Sequence, residues 1–289
     1  MSADPAGLLQ EVAAELGIEW SSPPPRRVGC STGEDRISAL QWGEDPEIVL
    51  LHGMGQNAHT FDATAMALRR PLLALDLPGH GESSWRPEPR YGPEEIAPSV
   101  LQAIDALAPR ARLLVGHSLG GLTALAVAAL RPGRVGSVVL VDVTPAVAAE
   151  DGALVRGFLA GPERFASREE IVERALAFGI GRSRAQVERG VYHNTRVLDD
   201  GRVVWKHHLG NLREPPQPAG DCARLWAPLA RLGAAATLVR ASRGFVTDRQ
   251  MAALAAHAPR ARVEPVDSGH NVQQDDPLRL AELIGSAAP

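Results

Sequence analysis

The sequence predicts an α/β fold whose centre is a doubly wound, mostly parallel sheet. Within its 289 residues, short and wholly apolar runs alternate with segments that have a helical spacing of apolar residues. Apolar runs of this kind are typical of strands that are buried on both faces. Glycine-rich turns follow directly after the runs, at the carboxyl ends of the predicted strands, where such sheets bind their ligands.

The chain begins with the segment 1–25, which is predicted to be a short helix and a linker. Glutamates recur at helical spacing among apolar residues up to Trp20, and the three prolines at 23–25 then forbid a helix. Two strand patterns follow, at 26–30 and 37–42, with a turn between them. They predict an antiparallel pair at the edge of the sheet.

Strands and helices then alternate regularly as far as the sixth predicted strand. In order, the pattern predicts a strand at 48–51, a helix at 61–68, a strand at 72–75, a helix at 93–107, a strand at 112–115, a helix at 122–130 and a strand at 138–141. Residues 145–232 interrupt the alternation with helical patterns, and they are predicted to form a helical cap inserted after strand six. The alternation resumes with a strand at 237–240, a helix at 249–257, a strand at 262–266 and a helix at 277–284. Residues 26–144 and 233–289 are therefore the predicted core.

The composition argues against several classes of function. The net charge is −4 and the arginines are scattered, which gives no basic surface for nucleic acid or an anionic membrane. The chain has neither the pattern of a signal peptide nor an apolar run of about 18 residues, so a cytoplasmic protein is expected. Cys30 and Cys222 have no metal-ligand spacing, and two free, buried thiols without a metal site are expected.

The strongest chemical signal is the stretch Gly116-His117-Ser118-Leu119-Gly120, which a predicted strand precedes and an alanine- and leucine-rich helix follows. A serine hydroxyl becomes a nucleophile only when a base removes its proton, so it must stand clear of the sheet. The G-x-S-x-G spacing places the serine on a sharp corner, where the two glycines avoid collisions between strand and helix. The pattern therefore predicts Ser118 as a nucleophile.

The base and the oxyanion donors are predicted from the ends of other strands. Among the nine histidines, His270 lies directly after the last predicted strand, on the same edge of the sheet as Ser118. It is expected to be the general base. The N–H of Leu119 and the N–H of Met54, in the turn after the third predicted strand, are expected to hold an oxyanion.

Two aspartates are candidates for the acid that orients the histidine. Asp142 ends the strand 138–141, and a carboxylate there can reach His270 from a neighbouring strand end. Asp248 is the alternative, but its position before the helix 249–257 favours a role as N-cap. We therefore expect Asp142 to be the acid.

Four stretches together resemble the α/β-hydrolase superfamily, from about Arg26 onward. They are His52-Gly53-Met54-Gly55, Asp76-Leu77-Pro78-Gly79-His80-Gly81-Glu82-Ser83, Gly116-His117-Ser118-Leu119-Gly120, and Gly269-His270 with Pro277 downstream. The stretches around Asp142 and Gly244 are similar to those of small serine esterases whose catalytic acid follows strand six. In that branch a serine often stands where this chain has Gly244.

The resemblance implies a serine hydrolase, without metal or organic cofactor, that cleaves a small or medium carboxylic ester through an acyl-enzyme. The same site could serve a C–C hydrolase, a thioesterase or a lactonase, and the alternative of another class is a non-catalytic scaffold that binds a ligand. The expected partner is a small ester-like molecule, and the oligomeric state is left open. The candidates for the substrate pocket are His52, His117, Phe158, Phe178, Tyr192 and Trp205. The histidines could instead brace the backbone, and the aromatic residues could form the core of the cap.

Overall fold

The computed structural model describes residues 5–148, 153–211 and 222–288. Its strands are β1 (Arg26–Ser31), β2 (Arg36–Trp42), β3 (Ile48–Leu51), β4 (Leu72–Asp76), β5 (Leu113–His117), β6 (Ser137–Val141), β7 (Thr195–Val197), β8 (Val203–Trp205), β9 (Ala236–Arg243) and β10 (Arg262–Gly269). Its α-helices are α1 (Pro5–Leu16), α2 (Asp62–Leu68), α3 (Pro93–Leu107), α4 (Leu119–Leu130), α5 (Ala153–Leu159), α6 (Arg168–Ala177), α7 (Arg184–Asn194), α8 (Trp226–Leu232), α9 (Asp248–His257), α10 (Val272–Asp275) and α11 (Pro277–Ala287).

Eight strands form one sheet in the order β1-β2-β4-β3-β5-β6-β9-β10. β2 runs antiparallel to β1 and to β4, and the remaining neighbours are parallel. The predicted doubly wound, mostly parallel α/β fold is therefore confirmed. Because β3, β5 and β6 are neighbours in the middle of the sheet, the turns that follow them meet at one edge.

The sheet is buried on both faces, which explains why its central strands are wholly apolar. In β3, Val49 and Leu51 pack into one hydrophobic core with α3 and α4, whereas Ile48 and Leu50 pack into a second core with α1, α2 and α11. All four side chains are fully buried. Each contributes about 1.5–3 kcal/mol to folding relative to an exposed position, so this strand is strongly fixed in register.

The segment that follows β6 contains a small core of its own. Ile171 of α6, Val191 of α7 and Trp205 of β8 pack together there with Phe165, which precedes α6 and bridges to β8. The sequence does not predict the hairpin of β7 and β8, because two strands of three residues are too short to show an alternating pattern. Residues 149–152 and 212–221 of the predicted cap lie outside the described residues.

Helix α8 falls inside the predicted cap range but packs with the main core. Its residues Trp226 and Leu229 belong to the same cluster as α3 and α4. The chain therefore rejoins the main core before residue 233. Among the helices in the described part of the chain, none combines the length and the apolar character that a membrane span requires.

Candidate active site

Ser118 stands on the sharp corner between β5 and α4. Its backbone has a φ of 50° and a ψ of −117°, a conformation that residues with side chains rarely adopt. A β-carbon on Gly116 would lie 2.3 Å from the backbone of Gly120, and one on Gly120 would lie 2.1 Å from the carbonyl oxygen of Leu51. Both glycines are therefore needed for the close contact of helix and strands that forms the corner.

Asp142 directly follows β6 and also has a positive φ, of 49°. Its Oδ2 atom accepts hydrogen bonds from Nδ1 of His270 and from the N–H of Phe245, each at 2.7 Å. Its Oδ1 atom accepts the N–H of Ala241 at 3.2 Å. The residue is only 1% exposed. The three donors offset the loss of water around this buried carboxylate.

Asp248, the alternative acid, lies on the surface. Its side chain is 96% exposed and pairs with Arg240 at 2.6 Å. The predicted role of Asp248 as N-cap is wrong, because Thr247 occupies that position and its side chain accepts the N–H of Gln250. Threonine and aspartate are both good N-caps and are adjacent here, so the sequence does not show which of them begins the helix.

His270 follows β10 directly and lines the same cavity as Ser118. Its ring stacks on Phe245 with the centroids 3.8 Å apart, and the Asp142 carboxylate holds Nδ1. The orientation of the ring is therefore fixed from two sides. The hydrogen bonds of the described residues do not include one between the Ser118 hydroxyl and this ring, and catalytic contacts of this kind often tighten only when the substrate binds.

His117 supports the loop of His270 from the buried side. Its Nε2 atom donates to the backbone carbonyl of His270 at 3.0 Å, and the two ring centroids are 4.5 Å apart. Burial, together with the neighbouring His270, holds the pKa of His117 well below its ordinary value, so the ring is neutral. His117 lines the cavity but acts on the position of His270.

The turn after β3 brings Met54 into the wall of the cavity. His80 holds this turn in place, because its Nε2 atom accepts the N–H of Gly55 at 3.1 Å. Burial lowers the pKa of His80 to about 3, so this nitrogen keeps its lone pair. Leu119, in the same cavity wall, is the first residue of α4, and its N–H has no acceptor within the helix.

The cavity has a volume of about 460 Å³ and lies between the edge of the sheet and the segment that joins β6 to β9. Apolar side chains of that segment form much of its wall: Val155, Phe158, Leu159, Ile180, Val187 and Trp205. Phe158 and Trp205 therefore lie where the sequence predicts pocket residues.

Three other predicted pocket residues lie outside the cavity wall. His52 is fully buried, and its Nε2 atom accepts a backbone N–H at 2.9 Å. Phe178 packs edge-on against Phe158, with the centroids 5.7 Å apart. The ring of Tyr192 lies under the guanidinium of Arg168, at 4.7 Å. These three side chains support the backbone or the packing of the segment between β6 and β9, which is the alternative that the sequence left open.

A set of amide side chains joins the turn after β3 to the loop of His270, and the sequence does not predict it. Gln56 accepts the N–H of Gly53 and donates to Asn271, each at 3.1 Å. The Nε2 atom of Gln273 lies 3.4 Å from Oε1 of Gln56 and also 3.4 Å from Nδ1 of His117. Isolated amides in turns form no recognisable motif, so only the tertiary structure reveals them.

Comparison with known proteins agrees with this fold. A model described as the alpha/beta hydrolase family matches residues 48–283. The esterase Rv0045c of Mycobacterium tuberculosis is 41% identical over 291 aligned residues, which cover 97% of this chain and 94% of that protein. The lipase LipV of the same organism is 31% identical over 254 residues, which cover 83% and 92%.

A crystal structure of the esterase Rv0045c superposes on this chain with a TM-score of 0.82 at 40% identity, covering 99% of this chain and 98% of that chain. Near full-length agreement in both sequence and structure exceeds what a shared fold alone requires. The chain therefore belongs to the alpha/beta hydrolase family, and it is a hydrolase of the esterase type.

Proposed function

We propose that this esterase cleaves a small or medium carboxylic ester through a covalent acyl-enzyme on Ser118. The observation that carries the proposal is the 2.7 Å contact of His270 Nδ1 with the buried carboxylate of Asp142, in a cavity that Ser118 also lines. A carboxylate on Nδ1 keeps the ring proton there and leaves Nε2 as an acceptor. Acyl transfer from an ester to a serine requires such an acceptor.

In the first step, Nε2 of His270 takes the hydroxyl proton while Oγ of Ser118 attacks the ester carbonyl carbon. The carbonyl oxygen becomes an oxyanion, which the N–H groups of Met54 and Leu119 stabilise. The imidazolium then gives its proton to the leaving alcohol as the C–O bond breaks. A water molecule repeats the attack on the acyl-enzyme, which releases the carboxylic acid and restores the hydroxyl.

The cavity favours an apolar acyl group of medium length. Its volume of about 460 Å³ falls within the range of small-molecule sites, roughly 300–1,000 Å³. Phe158, Leu159 and Val187 give it apolar walls, so hydrophobic burial of the acyl chain supplies binding energy. Thioesters, lactones and activated C–C bonds could react at the same serine, and a substrate panel separates these classes.

A fluorophosphonate probe tests the proposal directly. The wild-type chain should be labelled at Ser118 and should hydrolyse p-nitrophenyl esters, and Ser118→Ala should lose both properties while it remains folded. Failure of the folded wild type to react would contradict the proposal and would favour a ligand-binding scaffold. Labelling combined with turnover of thioesters, lactones or C–C substrates alone would keep the nucleophile and change the substrate class.

A further inference from the structure

A second group of potential ligand side chains lies away from Ser118, where the cap meets the core. His59 belongs to the 3₁₀ turn Ala58–Phe61, Asp62 begins α2, and His193 comes from α7 of the cap. One nitrogen or oxygen atom of each side chain lies within 4.8 Å of the other two. The three side chains line a cavity of about 300 Å³, to which α1 also contributes.

Asp62 gives an independent indication that a ligand fits here. Its side chain is only 8% exposed. The Oδ2 atom accepts Nδ1–H of His59 at 2.8 Å, whereas Oδ1 is buried and has no hydrogen-bond partner in the described part of the chain. Burying a carboxylate oxygen without a hydrogen-bond donor costs free energy, and a bound cation would offset this cost.

The cations nearest to His193 are already paired with other carboxylates. These ion pairs are Arg27 with Asp76 at 2.7 Å, Arg189 with Glu15 at 2.5 Å, and Lys206 with Glu82 at 2.7 Å. Among the described residues, by contrast, only the ring of His59 pairs with the carboxylate of Asp62. The local charges therefore do not exclude a further cation beside Asp62.

We propose that His59, Asp62 and His193 bind a transition-metal ion such as Zn²⁺ or Ni²⁺, and that this ion links α7 of the cap to the core. Two imidazole nitrogens and a carboxylate oxygen form a donor set that these ions accept. Water in the cavity completes the coordination. Asn194, the residue after His193, lines both this cavity and that of Ser118, so the ion would lie close to the wall of the substrate cavity.

Metal binding requires two local rearrangements. The rings of His59 and His193 are stacked, with centroids 3.8 Å apart and planes at 16°. The lone pairs of the two rings therefore point in parallel directions, and one ring must turn before both can bind the same ion. Arg27 donates to Nε2 of His59 at 3.2 Å, which places the ring proton on Nδ1. When the ion takes Nδ1, this proton lies on Nε2, which can no longer accept the hydrogen bond from Arg27. Arg27 keeps its bonds to Asp76 and Ser38.

Isothermal titration calorimetry of the untagged, EDTA-treated chain with ZnCl₂ tests the site. The wild type should bind one ion per chain, and its Tm should rise with added Zn²⁺, because the ion binds the native state. His193→Gln and Asp62→Asn should each weaken binding by about tenfold or more. His257→Gln and Cys30→Ser remove an exposed imidazole and a partly exposed thiol elsewhere, and both controls should bind as the wild type does.

The outcomes separate this site from other donors of the chain. Wild-type affinity in a folded His193→Gln variant would overturn the proposal, because the ion would then bind elsewhere, for example at His270. Loss of binding in either control, or no binding by the wild type at millimolar Zn²⁺, would overturn it as well. If Asp62→Asn does not fold, His193→Gln decides alone, since His193 is only partly buried at the end of α7.

Discussion

Gly244 leaves open the space that the carboxylate of Asp142 occupies, since a β-carbon on residue 244 would lie 2.1 Å from Oδ2. In the small esterases that this chain resembles, a serine often stands at that position. Here residue 244, in the loop after β9, has no side chain, and this leaves room for Asp142, which follows β6. The two residues therefore form a packing pair, and the departure from the usual residue has a steric cause.

Gly244→Ala should lower kcat by about 10- to 100-fold, because a shift of Asp142 by about one ångström misplaces His270. The measurement is kcat and KM on an activated ester, with the rate of fluorophosphonate labelling as a second readout. Gly33→Ala is the matched control, because no described atom lies within 4 Å of its β-carbon. Equal kcat values in the two variants would show that Asp142 does not orient the base from this position.

Asp142→Asn should reduce kcat by up to about 10⁴, because the amide cannot stabilise the imidazolium or hold the same tautomer of His270. The amide also cannot accept both backbone N–H groups that now bind the carboxylate, so the free energy of unfolding should fall by about 1–3 kcal/mol. Asp248→Asn should change neither quantity, since its side chain is 96% exposed. An active Asp142→Asn beside a folded but inactive Asp248→Asn would assign the acid to α9.

The free energy of unfolding should decrease as the pH falls from about 6.5 toward 4. Burial lowers the pKa of His52 to about 4, and that of His80 and of His207 to about 3. In this range the unfolded chain binds protons that the folded chain does not, so acidification favours unfolding. At pH 5, each of these histidines should have lowered the free energy of unfolding by roughly 2 kcal/mol.

Urea denaturation at pH 7 and pH 5 measures this loss. Raising the pH above 7 should have no further effect through these histidines, because both states are then unprotonated at all three rings. A denaturation midpoint that stays constant down to pH 5 would mean that the rings gain protons without unfolding.

Phe158→Ala should shift the preference of the enzyme toward longer or bulkier acyl groups, because this ring lines the cavity. Phe178 packs behind it and lies under the guanidinium of Arg174, at 4.8 Å. Phe178→Ala should therefore lower stability by about 1 kcal/mol or more with little change in preference. The check is kcat/KM over p-nitrophenyl esters from acetate to laurate. Identical profiles for Phe158→Ala and the wild type would remove Phe158 from the acyl site.

The parts of the molecule that can be predicted from the sequence are those with a local signal. A strand such as Ile48–Leu51 is recognisable because both of its faces are buried and every residue is apolar. The corner at Ser118 is recognisable because it needs glycine at 116 and 120 for steric reasons, whatever the rest of the chain does.

Features that depend on tertiary contacts could not be predicted in the same way. The strands β7 and β8 are too short for a pattern, and β8 is buried through its contact with Phe165. Gln56 and Gln273 acquire a role only because the turn after β3 and the start of α10 lie beside His117. The choice between Asp142 and Asp248 depends on a distance across the sheet, which sequence spacing does not contain.

Because Ser118 and Asp142 have positive φ angles, a substitution there that raises thermostability should lower activity. A non-glycine residue held in such a conformation costs on the order of 1–3 kcal/mol, out of the roughly 5–15 kcal/mol that stabilises a typical domain. Ser118, whose ψ of −117° suits glycine, carries the larger share. Glycine at 118 would relieve this strain and remove the proposed nucleophile, so a chain optimised for stability alone would lose the hydroxyl at the corner between β5 and α4.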